Sequence, residues 1–220
     1  LSRRGAVNTF ELMTSTLDTA GTDIQLTSDV YDELHASWSP DGQRICFSRN
    51  VNGRLDIWVT DDRGEDQEPI TTNPGSDTQP EWAPKGERIA YISAETLEEN
   101  PYPQVCIINS DGTGRKRLTD SPAAKMYPSW SADGTFVYYV EYDPGKREPY
   151  VLMQVDTETG ETGVVLPFRE EIDRPFVSDD GKKVLYSIRG KGLHTELYMY
   201  DLIAGQDIRL TNNSFRDFMP

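Results

Sequence analysis

An all-β fold of repeated four-stranded antiparallel units is what the sequence predicts, and three observations lead there. A tryptophan, a Ser-Pro-Asp-Gly type of turn and an apolar strand recur together along the chain. The turn glycines Gly42, Gly86, Gly134 and Gly181 stand 44, 48 and 47 residues apart. No stretch sustains a 3.6-residue apolar period, so helices are expected to be few. A period of this size marks a repeat architecture. Four strands in every ~45 residues make a β-propeller blade.

Taken in order, residues 1–7 read as a tail. Residues 9–17, TFELMTSTL, read as a strand, 18–21 as a turn and 24–27 as a short second strand. The first full repeat opens with HASWSPDGQRICFS, residues 35–48. Its turn is explained residue by residue: Pro40 presets φ, Asp41 bonds its own backbone, and Gly42 accepts positive φ. The hairpin returns at 79–93, 127–141 and 174–188. A second hairpin, with a Gly/Asp turn and a shorter closing strand, occupies 56–72, 105–119, 151–167 and 196–211. One blade is therefore strands a to d. Strand a ends at the tryptophan, b carries Ile45–Phe47 or its equivalent, c carries Ile57–Val59, and d ends in a Leu-Thr-like pair.

The phase of the repeat gives a half blade at 8–27, four blades at about 33–72, 78–119, 126–167 and 173–211, and the start of another at 216–220. The expectation is one domain over 1–220, five-bladed or part of a larger propeller. The chain begins at Leu1 without methionine and reads as a processed form or an excised piece. The half blade supplies strands c and d only. Its strand c is expected to expose an edge that recruits other strands, by self-association or from another chain.

Bulk properties narrow the partners. The net charge of −15 repels phosphate backbones, so nucleic acid is not expected. No apolar run approaches the ~20 residues of a membrane span. Cys46 and Cys106 fall at apolar strand positions and read as buried free thiols, since a disulfide needs adjacent, correctly aimed strands. Trp38, Trp82 and Trp130, with Val177 in the fourth repeat, read as packing between blades.

The motif Trp38-Ser39-Pro40-Asp41-Gly42, with its apolar strands, Asp-Gly turn and Leu-Thr-like end, resembles the TolB-like β-propeller repeat, also called the WD40-like Asp-Pro repeat. Trp82-Ala83-Pro84-Lys85-Gly86 and Trp130-Ser131-Ala132-Asp133-Gly134 match it in part. Val177-Ser178-Asp179-Asp180-Gly181 departs most, having neither Trp nor Pro. The resemblance spans about residues 8 to 220. It implies a propeller in a family of periplasmic protein-binding propellers, gating propellers of prolyl-oligopeptidase-like serine peptidases, and some polysaccharide lyases. It implies a bacterial, periplasmic or secreted setting. Fold alone does not decide among these activities.

Candidate site residues come from the contrast between repeating and varying positions. Three residues before the tryptophan position stand His35, Gln79, Tyr127 and Arg174, followed by Met219 at the chain end. In a propeller these innermost strand starts ring the central channel. A base, an amide, a phenol and a fixed cation can together hold a carboxylate or a peptide end. The competing reading makes them solvated residues at a channel mouth, or partners of Glu33, Asp77 and Asp173. On the same face lie the b–c loops 49–55, 94–104, 142–149 and 189–195, in which Tyr102 and Tyr142 are candidate aromatic anchors. On the opposite face Asp61, Asp62, Glu65, Asp66, Asp111, Asp156 and Glu161 read as a solvated acidic rim, without the spacing of a calcium loop. There is no G-x-S-x-G elbow, no P-loop, and no multi-histidine zinc set. No catalytic residue, metal or cofactor is assigned. The expected function is a non-catalytic module binding a protein or peptide. The alternative is a propeller enzyme or enzyme-associated domain, a polysaccharide lyase or a peptidase's gating propeller.

Overall fold

Alternating apolar runs joined by tight turns fold into five antiparallel sheets. The computed structural model describes residues 2–4, 9–15, 23–95, 100–168, 172–189 and 195–212. The start of a further blade at 216–220, including Met219, lies outside them, as do 96–99 and 190–194 of two rim loops and the side chain of Asp173. A three-stranded sheet contains β1 (Ser2–Arg4), β2 (Phe10–Ser15) and β3 (Asp23–Gln25). The first four-stranded sheet is β4 (Asp32–Trp38), β5 (Arg44–Val51), β6 (Arg54–Asp61) and β7 (Glu68–Pro69). The second is β8 (Asp77–Trp82), β9 (Arg88–Ser93), β10 (Gln104–Asn109) and β11 (Lys116–Arg117). The third is β12 (Ala124–Trp130), β13 (Phe136–Tyr142), β14 (Tyr150–Asp156) and β15 (Thr162–Phe168). The fourth is β16 (Ile172–Val177), β17 (Lys183–Arg189), β18 (Thr195–Asp201) and β19 (Gln206–Arg209). These are propeller blades with strands in chain order, and no α-helix occurs among the described residues. Accordingly, no helix there is long and apolar enough to cross a membrane. Two compact units contain them, Leu1–Asp120 and Ser121–Pro220.

The N-terminal expectation needs correction. Ser2–Arg4, read as tail, pairs antiparallel with β2 in the register Ser2↔Leu12 and Arg4↔Phe10. The edge of strand c expected to stay open is therefore partly covered by the chain's own first residues. An unpaired row of backbone groups takes the nearest available strand, and the nearest lies a few residues upstream.

The turns show why the Ser-x-Asp-Gly pattern recurs. Ser39 Oγ donates to Asp41 Oδ1 at 2.6 Å, Asp41 accepts the Gln43 N–H at 3.1 Å, and Ser39 Oγ accepts the Arg44 N–H at 2.9 Å. Ser131 with Asp133, and Ser178 with Asp180, repeat the arrangement. The second blade has Ala83 and Lys85 in these places and retains only the backbone turn, Gly86 N–H to Ala83 O at 2.9 Å. The c–d hairpins use the same device: Asp61, Asp111, Asp156 and Asp201 accept N–H groups of their own turns. Much of the expected acidic rim is turn chemistry. These bonds hold the carboxyls of Asp41, Asp111, Asp180 and Asp201 below the usual range.

In the first unit the core joins the two full blades. Trp82, 5% exposed, lies in one cluster with Cys46, Ile57, Val59 and Ile70 of the preceding blade. Its Nε1–H donates to Gly86 O at 3.0 Å, and Arg44 stacks over its ring at 5.5 Å. Full burial of such a side chain contributes about 3 kcal/mol. Trp38 departs from this reading, being 46% exposed. Trp82 covers the full blade before it, whereas Trp38 is preceded by the three-stranded sheet, with its short β1. Cys46 and Cys106 are buried free thiols, and burial pushes the Cys106 thiol up to about 11. In the second unit Val177 occupies the tryptophan position and is buried among Tyr138, Val140, Leu152, Phe168 and Tyr186.

Candidate functional site

The first strand of every full blade breaks its ladder at the same place. Pairing runs through Leu34↔Ser48 and resumes at Ser37↔Cys46, so His35 and Ala36 together oppose Phe47. Gln79 and Pro80 oppose Tyr91, Tyr127 and Pro128 oppose Tyr139, and Arg174 and Pro175 oppose Tyr186. A two-against-one register of this kind is a β-bulge. Each facing aromatic is no more than 1% exposed. The bulge residues themselves sit in the left-handed region, with φ of 55° at His35, Gln79 and Tyr127 and 38° at Arg174. Left-handed backbone is a glycine conformation, and a residue preceding proline favours extended backbone instead. Each such residue costs ~1–3 kcal/mol of strain. Only two other non-glycine residues among those described, Asn52 and Asp66, share a positive φ, and both belong to turns.

The four residues singled out from the sequence are thus the four bulge residues. In the first unit, β4 and β8 bring His35 beside the next blade: its Nδ1 is 3.2 Å from Thr78 Oγ1. Thr78 Oγ1 is 3.5 Å from Ser48 Oγ, which accepts the Gln79 N–H at 3.2 Å. In the second unit, β12 and β16, carrying Tyr127 and Arg174, lie against each other. All four side chains are half-buried. Their inventory is a titratable ring, an amide, a phenol and a guanidinium, suited to donating hydrogen bonds to carboxylate or carbonyl oxygens. Tyr102 is exposed on its loop, its N–H held by Asn100 Oδ1 at 3.2 Å. Tyr142 instead packs on Tyr150, with ring centroids 4.7 Å apart, at the end of β13. Among the described residues no group of His, Cys, Asp and Glu is placed to hold a metal.

Sequence reasoning named Glu33 and Asp77 only as possible partners of the bulge residues and missed what they bind behind the bulges. Two residues before each bulge residue stand Glu33, Asp77, Lys125 and Ile172, all no more than 2% exposed. Glu33 binds Arg49 Nε at 2.9 Å and Thr27 Oγ1 at 2.9 Å. Arg49 also reaches Asp29 at 3.1 Å and stacks over Trp58 at 4.8 Å. Thr27 Oγ1 accepts the Leu12 N–H and contacts Glu11 Oε2, both at 2.9 Å. One hydroxyl proton cannot serve both carboxylates at once. Burial pushes Glu33 up to about 7, against the opposing pull of Arg49. Asp77 is raised by burial as well. Lys125 Nζ is satisfied by Ser121 Oγ at 2.7 Å and by Glu141 at 3.4 Å. The available signal was the strand-closing threonine: Thr71, Thr119 and Thr211 likewise accept the N–H of Ile57, Val105 and Leu197.

With this geometry in hand, comparison with known proteins places the chain. A family model, the TolB beta propeller domain, matches residues 87–220. The chain belongs to the TolB β-propeller family. Tol-Pal system protein TolB of Polaromonas sp. (strain JS666 / ATCC BAA-500) is 29% identical over 72 residues, 33% of this chain and 17% of that protein. Its counterpart in Polaromonas naphthalenivorans (strain CJ2) is 30% identical over 67 residues, 30% of this chain and 16% of that one. Among solved structures, TolB from Acinetobacter baumannii superposes with a TM-score of 0.78 at 23% identity, covering 94% of this chain and 50% of that one. Oligogalacturonate lyase from Vibrio parahaemolyticus gives 0.70 at 14%, covering 93% and 61%. A Mycobacterium tuberculosis puromycin-hydrolyzing peptidase gives 0.68 at 17%, covering 98% and 38%. This TolB-family chain thus spans about half the length of the A. baumannii TolB it resembles. At these identities the structural likenesses establish the fold alone.

Proposed function

We propose that this TolB-family propeller is a non-catalytic binding module that engages a protein or peptide through its bulge residues, His35 and Gln79 in the first unit and Tyr127 and Arg174 in the second. One observation carries this: four residues of different chemistry occupy the same strained bulge. Packing needs no such variety, and strain of this kind collects where side chains must be aimed. The rim loops, with Tyr102 exposed, would extend the surface. Likeness to Tol-Pal system proteins supports a protein partner and a periplasmic setting.

A displayed library of random peptides, panned on the chain, tests the reading. Enriched peptides should bind at least tenfold more weakly to His35→Ala and Arg174→Ala, a difference of about 1.4 kcal/mol. Trp38→Ala should bind them normally. Peptides indifferent to substitution at all four bulge positions would overturn the assignment. Release of unsaturated uronates from oligogalacturonate, abolished by His35→Ala, would move it to the lyase class.

A further inference from the structure

A cavity of about 460 Å³ opens between the third and fourth blades, within the second unit. A sequence difference lies in its wall. Where other blades close strand d with Thr71, Thr119 or Thr211, the third has Pro167, which carries no hydroxyl. Leu166 and Phe168 of β15 form one wall, and Tyr186, Ile188 and Tyr200 the other. Tyr186 stands edge-on to Phe168, with centroids 4.9 Å apart at 62°, and stacks on Tyr198 at 5.9 Å and 19°. Among the described residues, Asp207 of β19 is the only charged one lining it, and it accepts the Tyr186 O–H.

This composition selects a ligand class. The volume lies in the usual range for small-molecule pockets. A neutral apolar ligand would strip water from Asp207 without supplying a counter-charge. An anion would meet the carboxylate. A calcium ion needs six or more oxygens, and a single carboxylate with phenols does not supply them. A cation wrapped in alkyl groups suits a lining of aromatic rings and aliphatic side chains with a single carboxylate among the described residues. We propose that this cavity is a binding site for a small organic cation, an alkylated ammonium held against Phe168, Tyr186 and Tyr200 with Asp207 as its counter-charge. The proposal is independent of the bulge-residue reading, since none of those four residues lines the cavity.

Calorimetric titration of the whole chain with choline, beside its neutral tert-butyl isostere, tests it. Choline should give a saturable heat and the isostere none. Asp207→Asn, at an exposed position, should leave the melting curve intact and weaken choline at least tenfold. Tyr200→Ala should weaken it too. Absence of saturable choline binding up to ~10 mM, weaker than the millimolar range of the weakest specific complexes, would overturn the proposal. Equal binding of the neutral isostere, or full binding by Asp207→Asn, would do the same.

Discussion

Ser48 of the first blade accepts the backbone N–H of Gln79 on the second, at 3.2 Å. That N–H belongs to a residue whose strand ladder is interrupted by the bulge, and Ser48 is fully buried. Ser48→Ala removes this acceptor, at a cost of about 1 kcal/mol, the net worth of an ordinary hydrogen bond. Urea unfolding should register it, and a loss under ~0.5 kcal/mol, as at ordinary surface positions, would show that the bulge needs no such support.

Strain at the bulge predicts a trade between stability and binding. Gln79→Gly should raise stability by about 1 kcal/mol, because glycine adopts φ of 55° freely and the relief exceeds its entropic penalty. Gln79→Val should lower stability, since a β-branched side chain tolerates that backbone least. Both should lose affinity for peptides selected on the parent chain. A glycine variant no more stable than the parent would remove the argument that this conformation is retained for function.

The tryptophan series predicts unequal losses. Trp82→Ala should cost ~3–5 kcal/mol, as expected for a buried aromatic. Trp38→Ala should cost less than ~1 kcal/mol, in the range of exposed sites. Equal losses would mean that the preceding sheet covers Trp38 in solution.

Glu33 predicts an unusual pH dependence. A carboxyl raised to about 7 keeps its proton in the folded state while the unfolded chain has released it near pH 4.5. Between those values the folded state binds more protons, so stability falls as pH rises. The full effect is at most about 3 kcal/mol, reached above pH 7. Melting temperatures at pH 5 and pH 8 should therefore favour pH 5, and Glu33→Gln should flatten the difference. Below about pH 4 the sign reverses, because the turn carboxylates Asp41, Asp111, Asp180 and Asp201 are then protonated and release their N–H donors. An unchanged slope in Glu33→Gln would place the raised carboxyl elsewhere.

Much of this was legible from residues alone. The spacing of Gly42, Gly86, Gly134 and Gly181 gave the blades, because tight turns demand specific residues wherever they occur. The positions of His35, Gln79, Tyr127 and Arg174 stood out by varying inside a constant frame. Their conformation was less visible, although Pro80, Pro128 and Pro175 inside a strand pattern are the mark of a bulge. The exposure of Trp38 depends on what precedes it in space, which a motif does not encode. The Glu11–Thr27–Glu33–Arg49 chain was hidden because acidic residues in strands read as solvent-facing until their neighbours are known.

The closing threonines change what should be regarded as one module. Thr27 belongs to one blade by sequence, yet its hydroxyl ties Glu11 of that blade to Glu33 of the next. Half of this joint is therefore carried by each neighbour. A blade transplanted whole into another position would arrive with two mismatched halves, meeting a proline where it needs a hydroxyl or a carboxylate where it brings another. Recombination among such repeats should tolerate crossovers within a blade, which keep each joint intact, better than crossovers at the Asn73-Pro74-Gly75 type of linker that appears to the eye as the natural boundary.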